Sequence, residues 1–364
     1  MWPLIGNVVM IGVGFALVYL AVAKRYEPLL LLPIGFGAVL ANVPFAGLAE
    51  PGGVLHFLRV YGVENDLLPA LLFIGLGAMC DFSSLIRRPM LLVFAAAGQL
   101  GIFVTVNLAV ALGFAPLEAS SIGVIGAMDG PTAIFVTQRF APHLLGPVMV
   151  CAYSYMSLVP LLQIPLSKLL TTEKERKIRM DPPSGELARP VRVLFPIIVF
   201  LVTSLLAPQG ALLVGTLMLG NLMRESGVVR RLSEAAQNEL ANVVTLLLGL
   251  SIGGTMTAEA FLNATTLTVF ALGLVAFVSA ISLGLLFAKV ANIITGGKIN
   301  PLIGACGVSA FPMAARTAHL LGRRDDPDNW LLPQALATNV GGQIASVAAG
   351  GAILTYAPIL LSML

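Results

Sequence analysis

"IGAMDGPTAIF", residues 125–135, sets a carboxylate directly before the two residues least able to continue a helix. Asp129 is the only ionisable residue between Glu118 and Arg139, and Ile, Val, Ala and Phe surround it like the interior of a membrane. A charge at that depth is expensive unless it is paired, hydrated or protonated, so such residues usually mark ion or proton paths. Gly130 and Pro131 interrupt the helix and free backbone carbonyls that can join the carboxylate around a cation. Asp129 can also cap the half-helix starting at Pro131, and the two roles are compatible.

Composition identifies the surroundings of this stretch. Of 364 residues, 57% are hydrophobic and 11% charged, against about 25% charged in a soluble domain. Apolar runs near the roughly 20 residues that cross a bilayer recur along the chain. The expected fold is therefore an all-α polytopic membrane protein, with no soluble stretch long enough for a separate enzyme domain. About ten crossings are expected, near 3–23, 28–45, 65–82, 90–113, 143–167, 191–206, 210–224, 237–254, 264–288 and 330–356. The stretches 119–137 and 299–320 carry too much Gly and Pro for plain helices and are expected to be broken, re-entrant elements.

Lys and Arg concentrate on the cytoplasmic side. With the N-terminus outside, Lys24, Arg25, Arg87, Arg88, the loop "TTEKERKIRMDPPSGELARP" (171–190), Arg224, Arg230, Arg231, Lys289, Lys298, Arg323 and Arg324 fall inside, and only Arg59 and Arg139 fall outside. A full crossing at 119–137 would move the charged loop outside, so charge bias favours a hairpin that returns. The net charge of +3 is spread over these loops and gives no argument for nucleic acid.

The charged loop divides the chain into a first membrane repeat (1–170), a cytoplasmic linker (171–190) and a second repeat (191–364). "GFGAVLAN" (35–42) resembles "GTLMLGN" (215–221), "FIGLGAMCDF" (73–82) resembles "LLGLSIGGTM" (247–256), and "IGAMDGPTAIF" resembles "IGACGVSAFP" (303–312). Five crossings and one hairpin per half make the crossing number odd, so the second half starts on the opposite side. That is an inverted-topology repeat, whose ion and substrate sites lie where broken helices meet near the midplane.

The second broken element, "INPLIGACGVSAFPMAAR" (299–316), offers Asn300 and Ser309 as neutral oxygen ligands suited to a hard cation. Its Arg316 can hold a carboxylate in bidentate fashion, or snorkel to the interface. "CAYSYMSLVP" (151–160) sets Tyr153, Ser154, Tyr155 and Ser157 in an apolar span. Tyr155 can reach the hairpin or simply bond a neighbouring helix. "ATNVGGQIAS" (337–346) brings Thr338, Asn339, Gln343 and Ser346. Asp81 and Glu259 read as solvated ends or caps. Cys80, Cys151, Cys306 and the three histidines are scattered, which leaves disulfide and zinc readings little support. No Walker loop, nucleophile elbow or metal-binding histidine pair is present.

The stretch from Gly126 to Met180, together with "INPLIGACGVSAFPMAAR" and "ATNVGGQIAS", resembles the beta subunit of the sodium-pumping, biotin-dependent decarboxylases, which act on oxaloacetate, methylmalonyl-CoA or glutaconyl-CoA. The likeness covers nearly the whole chain. It implies a subunit that decarboxylates carboxybiotin, consumes a proton and couples this to Na+ export. It also implies a carboxyltransferase and biotin-carrier alpha subunit that presents the carboxybiotin, a small membrane subunit, and a place in the cytoplasmic (inner) membrane of a prokaryote, with self-association left open. Carried over by motif, Asp129, Asn300, Asn339 and Ser309 would hold Na+. Arg316, Asn300 and Gly304 would face the carboxybiotin, and Asp129, Tyr155, Ser309 and Arg316 would take part in the chemistry. Ala127-Met128, Cys80 and Cys306 depart from the family's usual pattern, but none removes a proposed ligand. A stand-alone Na+/H+ antiporter or Na+-coupled anion symporter is the competing reading.

Overall fold

The computed structural model describes residues 2–181 and 185–363, and the regular structure of the described residues is helical. The helices fall close to the expected crossings: Trp2–Ala23, Pro28–Ala41, Leu67–Met79, Met90–Ala111, Arg189–Leu206, Ala211–Ser226, Ala241–Gly254, Ala264–Ile294 and Leu332–Ser362. The expected 143–167 span bends by 63° at Leu158, between Leu145–Ser157 and Val159–Leu170. The 65–82 span is preceded by a helical segment that hydropathy did not reveal, Val54–Val63, also bent by 63° from Leu67–Met79.

By length and apolarity alone, five helices can cross a membrane, or seven if each bent pair is one span, against the ten crossings expected. The shortfall lies in short helices. Pro28–Ala41 has 14 residues, about 21 Å at 1.5 Å per residue, less than the roughly 30 Å of a hydrocarbon core. Arg189–Leu206 buries only Pro196 and leaves Leu194, Ile198, Leu201 and Leu205 exposed, a helix made for an apolar solvent. The chain is a multi-pass membrane protein.

The two halves of the chain interlock. Pro28–Ala41 packs on Ala241–Gly254, and Leu67–Met79 packs on Ala211–Ser226. Glycine makes both contacts: a Cβ on Gly37 would meet the Leu250 carbonyl, and one on Gly77 the Leu217 carbonyl. Small residues let backbones approach this closely where lipid gives no hydrophobic drive between helices. Two buried asparagines repeat the reciprocity. Asn42 Nδ2 donates to the Met256 carbonyl at 2.6 Å, and Asn221 Nδ2 donates to the Cys80 carbonyl at 2.9 Å. Ala264–Ile294 runs through the middle against Met90–Ala111, Leu145–Ser157 and the turn Pro301–Cys306.

Candidate functional site

Both Gly/Pro-rich stretches are broken helices, and their breaks meet. In the first, the Pro116–Gly123 helix tightens into the turn Val124–Ala127, then passes through Met128 (φ 54°) and extended Asp129 before Gly130–Phe140 begins. In the second, the turn Pro301–Cys306 gives way to irregular backbone over 307–312, and Met313–Asp325 follows. The Ser309 amide donates to the Ala127 carbonyl at 3.1 Å and ties one break to the other.

Leu332–Ser362 closes the site from one side. Asn339, Gln343 and Ser346 follow the four- and three-residue spacing that keeps side chains on one helix face. Asn339 Nδ2 donates to the Val308 carbonyl at 2.6 Å, and Gln343 Nε2 donates to the Ser309 carbonyl. Gln99, at the junction of Met90–Gly98 and Leu100–Ala111, donates to the Gly307 carbonyl at 3.1 Å. Three amides thus hold three successive carbonyls of the second break. Each leaves its own oxygen buried and without a partner among the described residues. An unmet buried acceptor costs about 1–3 kcal/mol, a cost that a bound cation or an ordered water removes.

Asp129 is 3% exposed. It occupies the cap position of Gly130–Phe140, but its Oδ2 takes two hydroxyls, Thr132 Oγ1 and Ser346 Oγ, each at 2.7 Å. Ser309 Oγ lies 2.6 Å from Ser346 Oγ and 2.8 Å from the Gly342 carbonyl, so the two serines form a short chain leading to the carboxylate. Among the described residues no cluster of three or more His, Cys, Asp or Glu forms. One carboxylate with amide, hydroxyl and carbonyl oxygens suits a hard cation, not a transition metal.

A cavity of about 300 Å³ adjoins this centre and is lined by Asp129, Gly130, Tyr153, Ser309, Gln343 and, further out, Glu27 and Arg316. Exposure rises from buried Asp129 through half-buried Glu27 to exposed Arg316, which places the carboxylate at the floor and the guanidinium at the mouth. Glu27 sits between Trp2–Ala23 and Pro28–Ala41 in a left-handed conformation (φ 32°). Burial raises its carboxyl above the ordinary glutamate range, and the nearby Arg316 charge opposes the shift. Tyr153 stacks on Gly130, and its hydroxyl is buried with no partner among the described residues.

Of the residues expected at the site, Asp129, Ser309 and Arg316 line one cavity, and Asn339 grips the carbonyl next to Ser309. Asn300 lies elsewhere: its Oδ1 accepts from the Leu302 amide, and its Nδ2 donates to the Arg176 and Ile178 carbonyls. Gly304 is a packing position, where a Cβ would meet the Gly284 carbonyl. Tyr155 donates to the Phe270 carbonyl at 2.9 Å, the interhelical alternative, while Tyr153 lines the cavity. Gln99, Thr132 and Glu27 escaped the sequence reading. A lone amide in "AAAGQLGIF" was the available signal for Gln99. Asp81 Oδ1 accepts from the Ser83 amide at 2.8 Å.

The family described as the Na+-transporting oxaloacetate decarboxylase beta subunit matches residues 6–357. The methylmalonyl-CoA decarboxylase subunit beta of Propionigenium modestum is 46% identical over 375 residues, spanning 96% of this chain and 94% of that protein. The glutaconyl-CoA decarboxylase subunit beta of Acidaminococcus fermentans is 49% identical over 349 residues (96% and 92%), and the oxaloacetate decarboxylase beta chain of Klebsiella pneumoniae 41% over 412 residues (96% and 95%).

Proposed function

The chain belongs to the family of Na+-transporting oxaloacetate decarboxylase beta subunits, and from that premise we propose that it couples the decarboxylation of carboxybiotin to Na+ export. The observation that carries the proposal is the pairing of a buried oxygen-rich centre with a guanidinium in one cavity. Relatives named for three different acids align over nearly its full length. A membrane step shared by all three fits a common intermediate carried to this subunit, with the acid itself handled by a partner. Decarboxylase names throughout these relatives favour this reading over a stand-alone transporter.

In this reading Na+ is the cargo, held by Asp129, Ser309 and Asn339 with the amide oxygens of Gln343 and Gln99. A carboxylate in a low-dielectric interior must be neutralised by a proton or a cation. Exchange of one for the other at Asp129 then links proton and sodium occupancy. Arg316 and the cavity in front of it fit a small ureido ring bearing a carboxylate. Carboxybiotin supplies a carbamate whose cleavage releases CO2 and drives the cycle. Arg316 orients the anion, the apolar lining from Leu72, Leu76 and Met156 excludes water, and Tyr153 and Ser309 offer hydroxyls between the floor and the anion.

The partners are a carboxyltransferase and biotin-carrier alpha subunit and a small membrane subunit. The linker face is cytoplasmic and the N-terminus lies outside, in the inner membrane of a prokaryote. The halves 1–170 and 191–364 form an inverted repeat about the linker 171–190, a reading supported by the reciprocal packing and by the matched Asn42 and Asn221. The test is reconstitution of the complex with and without this subunit. Na+-stimulated CO2 release and Na+ uptake into inverted vesicles are expected only with it, and lost in Asp129→Asn. Decarboxylation of equal rate and Na+ response without the subunit refutes the proposal.

A further inference from the structure

The segment from Arg176 to Asp181 ends a four-residue helix, Glu173–Arg176, and then has no regular structure, so its carbonyls need partners from elsewhere. Three fully buried amide side chains supply them. Asn300 Nδ2 donates to the Arg176 and Ile178 carbonyls at 2.8 and 2.9 Å. Asn329 Nδ2 approaches the same two carbonyls at 3.0 and 3.3 Å. Gln334 Nε2 donates to the Met180 and Asp181 carbonyls at 2.8 and 2.7 Å. Ion pairs flank this row: Arg176 with Asp325, and Arg179 with Asp326 at 2.7 Å and Asp328 at 3.2 Å.

The donors come from three successive places in the second half. Asn300 opens the second broken element, Asn329 follows Met313–Asp325, and Gln334 begins Leu332–Ser362. Between Asn300 and Asn329 lie Ser309 and Arg316. Beyond Gln334 lie Asn339, Gln343 and Ser346. The linker segment therefore ties together the bases of both elements that form the cavity wall.

We propose that residues 176–181 are a strap, that Asn300, Asn329 and Gln334 are positioning residues holding it, and that the strap fixes Arg316 over the cavity. Asn300 then serves anion binding through the linker and is not a cation ligand. Its amide is engaged on both sides: two donor contacts run to the strap, and its oxygen accepts from Leu302 at 3.0 Å. Asn329, which no motif flagged, shares both of its acceptors and must share its phenotype. The function of the strap rests on the proposed carboxybiotin reaction, whereas its docking does not.

The experiment compares Asn300→Ser and Asn329→Ser in the assembled complex by three readouts. Hydrogen exchange of peptides covering 172–181 is expected to speed up in both. The KM for the biotinylated carrier is expected to rise about tenfold in both, the scale of one or two lost hydrogen bonds, with the Na+ half-saturation within about twofold of wild type. Arg179→Gln, on the exposed side of the strap, should shift exchange and KM the same way by less, and it carries the test if a buried variant fails to assemble. A tenfold change of Na+ half-saturation in Asn300→Ser but not in Asn329→Ser makes Asn300 a cation ligand and overturns the proposal. Unchanged exchange in all three variants overturns it as well. A wild-type complex without Na+-stimulated decarboxylation overturns the proposed function and leaves the exchange result to judge the strap.

Discussion

Ser346→Ala is the most direct probe of the ion centre. Ser346 Oγ reaches Asp129 Oδ2 at 2.7 Å and also lies 2.6 Å from Ser309 Oγ. Removing it leaves Thr132 Oγ1 as the remaining hydroxyl on that oxygen among the described residues, and it strands no other donor, because Ser309 retains the Gly342 carbonyl at 2.8 Å. A hydrogen bond to a charged group contributes about 1.5–3 kcal/mol. If that energy holds Asp129 in its cation-binding orientation, Na+ affinity should fall roughly 10- to 150-fold, at about 1.4 kcal/mol per tenfold. The assay is CO2 release by the reconstituted complex as a function of Na+, read as half-saturation. Ser346→Thr keeps the hydroxyl and should stay within about twofold of wild type. A folded Ser346→Ala complex with unchanged half-saturation would refute the assignment of Asp129 and its hydroxyl partners to the cation.

Two further outcomes follow from geometry described above. Gly77→Ala drives a Cβ onto the Leu217 carbonyl, an overpacking worth about 1–3 kcal/mol. It should lower the melting temperature in detergent, whereas Gly12→Ala, with open space around it, should leave it unchanged. Glu27 faces Arg316 at the cavity mouth, with Asp129 and Tyr153 as the other titratable groups of the lining and Lys24 and Arg25 on its own turn. Its raised pKa means that the ionised form, full above that pKa, competes with an anionic substrate for Arg316 and is lost as pH falls through it. The KM for the carrier should therefore drop on acidification in wild type, and that pH response should vanish in Glu27→Gln.

Hydropathy was enough to locate most of the long helices and both breaks, because Gly, Pro and a lone carboxylate in apolar surroundings each have a local physical cost. Asp129, Ser309 and Arg316, polar groups in or beside those breaks, line one cavity. What it missed depends on rotation and on distant partners. Tyr153 and Tyr155 are two positions apart on one helix, about 200° around the axis, and the sequence does not say which faces the cavity. Asn300 reads as an oxygen ligand until the linker carbonyls that take its amide are seen. The tilt of Val54–Val63 against Leu67–Met79 is likewise set by tertiary packing, since nothing in a polar-to-apolar profile encodes a 63° bend.

The interlocked glycine crossings also impose an order on biosynthesis. Pro28–Ala41 leaves the ribosome early, yet the surface that matches Gly37 belongs to Ala241–Gly254. At synthesis rates of about 5–20 residues per second, the helix must wait on the order of ten seconds or more for its partner. During that interval a short helix with a naked glycine face sits in the insertion machinery or the lipid. The chain thus completes its packing only after the second half has been inserted, and a truncation before residue 241 would leave Pro28–Ala41 without its counterpart.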